Sequence, residues 1–163
     1  MNYLYYLLVY ILLAGANNLN AREPENLKKE DSTLTSAVYS NQLTNGLNYY
    51  LKPIRGTSTI SLNLWLRVGF NEEASDQQDI SHAVEHLAFR SSVHFPEGLR
   101  DNKKLAGLGI KKNDAMAGTA YHFTHYTISI PSESQRALHN GLLWFKDILN
   151  GLLLTTEDIN IER

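Results

Sequence analysis

The sequence predicts an α+β domain in which an antiparallel sheet carries helices packed on one face, and three observations lead there. Segments with strand character recur near 36–42, 47–54, 58–68, 111–118 and 122–130; all but 111–118 carry β-branched and aromatic residues. Asn45-Gly46 lies between the first two and is a strong hairpin turn, because a two-residue connection needs residues that tolerate positive φ. Two stretches, about 77–90 and the segment that follows Pro131, switch to apolar residues at helical spacing.

In chain order, Tyr3 to Ala14 is almost wholly apolar, the length of a signal-peptide h-region and too short to span a membrane. Ala14-Gly15-Ala16 supplies an A-x-A cleavage site and Leu19-Asn20-Ala21 a second, although no Lys or Arg precedes the apolar run. Residues 1–21 are therefore expected to be a signal peptide, the protein to be exported to the periplasm or secreted, and no stable membrane span to be present. With no cysteine there is no lipobox. Residues 22–35, with Glu23-Pro24-Glu25 and Lys28-Lys29-Glu30, read as a flexible lead-in, and 36–163 as the folded part. Ser75-Asp76-Gln77-Gln78 reads as a capping box for the helix at 77–90, with Ile80, Val84, Leu87 and Ala88 as its core stripe. A weak helix is expected near 99–107, ending at Gly107-Leu108-Gly109. Pro131-Ser132-Glu133-Ser134-Gln135 starts a long helix with Leu138, Leu142, Phe145 and Leu149 on one face, closed by Asn150-Gly151. Thr155 or Thr156 caps a last helix that reaches Arg163.

Composition bounds the function. A chain of 163 residues with 43% hydrophobic content can bury one core. A net charge of −2 gives no reason to invoke nucleic acid or an anionic membrane. Without cysteine, neither a disulfide framework nor thiol catalysis is available. Trp65, Trp144 and Met116 read as packing residues. His122 and His125, three apart in an expected strand, point to opposite faces and do not chelate together.

The chemistry concentrates in His82-Ala83-Val84-Glu85-His86. Each helical residue turns its side chain by about 100°, so His82, Glu85 and His86 share one arc. Neutral imidazole suits Zn²⁺, and a catalytic zinc site takes three protein ligands plus an open position for water. A neighbouring carboxylate can then take that water's proton. Here the chain resembles the insulinase/pitrilysin-type zinc peptidases, the inverzincins, in which H-x-x-E-H reverses the thermolysin order. The resemblance runs from Leu43-Thr44-Asn45-Gly46-Leu47 through Ser61 to Gly69, Asn71-Glu72-Glu73, Asp76-Gln77-Gln78, the motif itself and Leu87-Ala88-Phe89. It continues through His94-Phe95-Pro96 and Thr124 to Pro131, and reaches Ile161-Glu162-Arg163. It is greatest to the exported bacterial branch, in which two homologous halves share one long chain.

The resemblance implies that His82 and His86 are zinc ligands and Glu85 the general base. It also implies that Glu162 is the first, supporting member of a glutamate pair seven residues apart. The third ligand, a glutamate, is then expected six residues beyond Arg163. Separation from His86 alone could instead make Glu162 the ligand, but the local Glu162-Arg163 pattern favours the supporting role. Two departures stand out: Met116-Ala117-Gly118-Thr119 replaces an asparagine-alanine pair that meets substrate backbone, and Arg90-Ser91-Ser92 replaces a small Gly-Thr turn. Residues 36–163 are thus expected to form the N-terminal part of an insulinase-type domain. The expected activity is zinc-dependent hydrolysis of peptide bonds in short or unfolded polypeptides, with a second homologous domain supplied by a longer chain or by a partner. With two histidines alone the chain as given is expected to hold zinc weakly and to be inactive. The competing expectation is a non-hydrolytic peptide-binding or scaffold protein derived from such a domain.

Overall fold

Alternation along two central strands decides which face of the sheet is covered. In the computed structural model, which describes residues 7–13, 38–54, 56–100, 105–106, 108–110 and 114–163, Ile60, Leu62 and Leu64 are buried while the residues that alternate with them are half-buried or, at Thr59, exposed. On the adjacent strand Thr124, Tyr126, Ile128 and Ile130 are buried, in a register that sets Leu62 against Ile128 and Leu64 against Tyr126. Period-two burial in register produces one apolar face and one mostly polar face.

The strands are β1 (Leu7–Leu13), β2 (Tyr39–Gln42), β3 (Leu47–Pro53), β4 (Thr59–Leu66), β5 (Ala115–Thr119) and β6 (Thr124–Pro131), in sheet order β2-β3-β1-β4-β6-β5. Neighbours are antiparallel except β1 and β4, which run parallel. The β2–β3 hairpin turns where expected: Gly46 takes φ 87° and the Asn45 side chain accepts a hydrogen bond from the Leu47 amide at 3.1 Å. Leu7–Leu13, the centre of the expected signal h-region, pairs with both β3 and β4. The two expected cleavage points, the lead-in at 22–35 and most of the helix expected at 99–107 lie outside the described residues.

Helices α1 (Ile80–Leu87), α2 (Gln135–Asn150) and α3 (Thr156–Glu162) follow the strands. Ser134 caps α2 by accepting the Ala137 amide, and Thr155 caps α3 by accepting the Asp158 amide, both at 3.1 Å. The face that α2 buries differs from the expected one. Ala137, Gly141, Trp144, Phe145 and Ile148 are buried, whereas Leu142 and Leu149 are exposed. Trp144 decides the rotation: its indole is fully buried against Tyr126, Phe89 and Phe145, and Nε1 donates to the Ala88 carbonyl at 2.9 Å. One satisfied indole buries more apolar surface than a leucine. Trp65 packs against Phe123 and His125, whereas Met116, expected to pack, is exposed on the edge strand β5.

Helix α1 departs further. It begins three residues later than expected, and the capping box at Ser75–Gln78 does not form. The Glu73 carboxylate instead accepts the amides of Asp79 (2.8 Å) and Ser81 (2.7 Å), and the Ser81 amide leads in holding the Glu73 carboxyl below its usual range. Asp79 takes the left-handed conformation, φ 68°. The helix consequently buries Glu85, Leu87 and Ala88 and leaves Ile80 and Val84 exposed. The preceding loop is fixed from outside: a Cβ on Gly69 would lie 2.0 Å from the Ala120 carbonyl oxygen, and the amides of Phe70 and Asn71 donate to the Ala120 and Tyr121 carbonyls. Only glycine lets the β4–α1 loop touch the β5–β6 turn.

The loop that follows α1 is anchored by Asp147 of α2. Its buried carboxylate accepts Ser92 Oγ (2.7 Å), the His94 amide (2.8 Å) and His94 Nδ1 (2.7 Å). Burial pushes the Asp147 carboxyl up, but the bonds from His94 and Ser92 outweigh it and hold it below the usual range. Among the described residues no helix is long and apolar enough to cross a membrane.

Candidate metal centre

The one-turn spacing of His82 and His86 becomes a physical site. His82, Glu85 and His86 each offer a ligand atom, and these lie within 4.8 Å of one another; among the described residues they form the one such group of three or more. The imidazole rings stand edge to face with centroids 4.6 Å apart.

Each ring meets a carboxylate at the same nitrogen. His82 Nδ1 is 3.2 Å from Asp79 Oδ1, and His86 Nδ1 is 2.9 Å from Glu162 Oε2. A carboxylate at Nδ1 favours the tautomer with hydrogen there, leaving the Nε2 lone pair for a metal ion. Two such nitrogens beside a carboxylate suit zinc.

Glu85 sits between α1 and the edge strand. It is 8% exposed and accepts a hydrogen bond from Thr119 Oγ1 of β5 at 3.2 Å. Beneath it, the Tyr126 hydroxyl is pushed far up, first by burial and then by the Glu85 charge. That phenol stays neutral, so the carboxylate faces no competing anion from below.

Glu162 stands behind His86. Its Oε1 accepts from Arg90 Nε at 2.5 Å and Arg100 Nη2 at 2.9 Å, while Oε2 faces His86. Burial pushes the Glu162 carboxyl up, but hydrogen bonds from His86 and Arg90, with the charges of Arg100 and Arg90, hold it below its usual range. Both oxygens are engaged.

Of the residues singled out in the sequence, His82, Glu85 and His86 come together, with Glu162 in contact with His86. His122 lies in the turn before β6, against Asn71, and His125 stacks on Trp65; neither joins the group. Sequence reasoning missed Asp79, Arg90 and Arg100 as partners. The available signal was spacing: Asp79 is one helical turn before His82, and Asp158 and Glu162 are one turn apart opposite a loop that carries Arg90 and Ser91.

A profile of the insulinase family, peptidase family M16, matches residues 51–163. The chain is 29% identical over 160 residues to a probable zinc protease PqqL of Haemophilus influenzae, covering 97% of this chain and 16% of that protein. It is 31% identical over 110 residues to the chloroplastic stromal processing peptidase of Oryza sativa subsp. indica, covering 67% of this chain and 8% of that protein. The fold matches the first half of the periplasmic protease PqqL from Escherichia coli with a TM-score of 0.67 at 23% identity, over 77% of this chain and 27% of that one. The chain thus spans a small part of the curated relatives that it matches.

Proposed function

The chain belongs to the insulinase family of peptidases, and from that premise we propose that it carries the zinc-binding half of a metalloendopeptidase site acting on short or unfolded polypeptides. The observation that carries this reading is the placement of Glu85, a buried carboxylate within 4.8 Å of two imidazoles and hydrogen-bonded to the edge strand. Zinc, when bound, polarises the scissile carbonyl and acidifies water.

The chain's own residues do the rest. His82 and His86 would hold the metal through Nε2, and Glu85 would take a proton from the attacking water and pass it to the leaving amine. Thr119 anchors the Glu85 carboxylate from the last residue of β5. That strand is at the sheet edge with β6 on one side, which suits peptide docking by strand addition: backbone groups bind the substrate while side chains set preference. Such docking tolerates Met116-Ala117-Gly118-Thr119 in place of an asparagine-alanine pair. We further propose a glutamate from beyond Arg163 as third ligand, and a second homologous domain closing over the peptide.

The test is Glu85→Gln, assayed on a quenched peptide at saturating zinc in the full chain joined to its companion domain. Hydrolysis is expected to fall by about 10²–10⁴ while zinc content is unchanged. Retained turnover would remove Glu85 as the base. Peptide binding without turnover by the unsubstituted protein would support the non-hydrolytic binding module instead.

Export is proposed on the apolar Tyr3–Ala14 run and its A-x-A sites. The mature protein is then expected to begin at Asn17 or Arg22 by mass spectrometry, without Leu7–Leu13. Recovery of that segment in the mature protein would instead favour its role as strand β1.

A further inference from the structure

Arg90-Ser91, in the loop just past α1, matches one face of α3. Asp158 and Glu162 are one turn apart on that helix and project to the same side. Ser91 Oγ donates to Asp158, and Arg90 Nε donates to Glu162 at 2.5 Å. Two successive residues thus hold two successive turns and set the rotation and height of α3 against α1. Arg100 adds a second guanidinium to the Glu162 oxygen already held by Arg90. The Glu162 side chain is only 8% exposed, so its charge has little water to solvate it and depends on these partners.

That geometry leaves the carboxylate one free direction. With Oε1 fixed by two guanidinium groups, Oε2 faces Nδ1 of His86, and Glu162 is not among the ligand atoms that converge at His82, Glu85 and His86. We propose that Arg90, assisted by Arg100, is a positioning residue that holds Glu162 on His86 Nδ1, fixing the ring in the tautomer that offers Nε2 and keeping Glu162 from the metal itself. An arginine suits the task better than a lysine, because its planar fork remains charged and aims its donors.

The inference rests on the zinc-site reading but can be tested without the metal. In the metal-free full chain, ¹⁵N imidazole shifts are expected to show His86 with hydrogen on Nδ1. Arg90→Gln should mix the two tautomers, and Arg90→Lys should restore part of the preference. Zinc titrated alone should bind Arg90→Gln about ten-fold more weakly than the unsubstituted chain, with Arg90→Lys between. Arg100→Gln, at the more exposed guanidinium, should shift both readouts in the same direction by less, and serves if Arg90→Gln does not fold. Hydrogen on Nε2 of His86 in the unsubstituted chain would overturn the proposal. So would tautomer populations and zinc affinity that ignore all three substitutions. Absence of zinc binding with an intact tautomer response would overturn the zinc-site reading and leave the clamp standing.

Discussion

The two histidines of the motif have the same chemistry in unlike surroundings. His86 leans on Glu162, a nearly buried carboxylate gripped by two arginines from other parts of the chain. His82 leans on Asp79, whose side chain is 69% exposed and whose position depends on its own left-handed backbone and on Glu73. One ring is held by tertiary structure and the other by a local turn. The difference teaches that the two proposed ligands are held unequally, even though their spacing looks symmetric.

The largest effects come from removing the rings. In the longer chain that supplies the proposed third ligand, His82→Ala and His86→Ala should each abolish stoichiometric zinc binding, measured by calorimetry. They should differ in stability, because His86→Ala also takes a hydrogen-bond donor from a desolvated carboxylate. That costs on the order of 1–3 kcal/mol, whereas loss of the exposed His82–Asp79 pair costs well under 1 kcal/mol. Equal melting temperatures for the two variants would break the comparison.

Next come the outer carboxylates. Glu162→Gln should weaken zinc about 10–100-fold, and Asp79→Asn only a few-fold. Salt sharpens the contrast: raising it to about 1 M, where the screening length is about 3 Å, should erase most of the Asp79→Asn effect and little of the Glu162→Gln effect. Acid does the converse for stability. The Glu162 carboxyl is held low in the folded chain, so its contribution is full above the unfolded carboxylate value of about 4.3 and fades as pH falls through the lower folded value. The melting-temperature gap between the unsubstituted chain and Glu162→Gln should therefore close on acidification, and a gap that widens would contradict the assigned role.

How much of this was legible in the sequence divides along the same line. His82, Glu85 and His86 were readable because helix geometry alone converts their spacing into a cluster. The hairpin at Asn45-Gly46, the start of α2 within Pro131 to Gln135, and a cap for α3 at Thr155 or Thr156 were readable for the same local reason. The Arg90–Glu162 clamp joins residues more than seventy positions apart, and no local period encodes it. The rotations of α1 and α2 were misread because apolar periodicity favours leucine, isoleucine and valine equally. In the structure, Trp144 and the Glu73 cap choose the buried faces. Parallel pairing of Leu7–Leu13 with β4 was equally invisible, since an apolar run of that length reads the same as an h-region or as a buried strand.

The smallest and sharpest prediction concerns Asp79. Its φ of 68° lies where a Cβ is unfavourable, although Asp tolerates that region better than most residues. Glycine adopts it without strain, so Asp79→Gly should leave folding stability unchanged or raise it by about 1 kcal/mol. The same change deletes the carboxylate at His82 Nδ1, so zinc affinity should fall by the few-fold expected for Asp79→Asn. Stability and metal affinity would then move in opposite directions at one position, which a purely structural role for Asp79 does not produce. Thermal melts and zinc titration on the same preparation decide it. If both quantities fall together, the left-handed turn depends on the Asp79 side chain for folding, and His82 is as firmly built into the tertiary structure as His86.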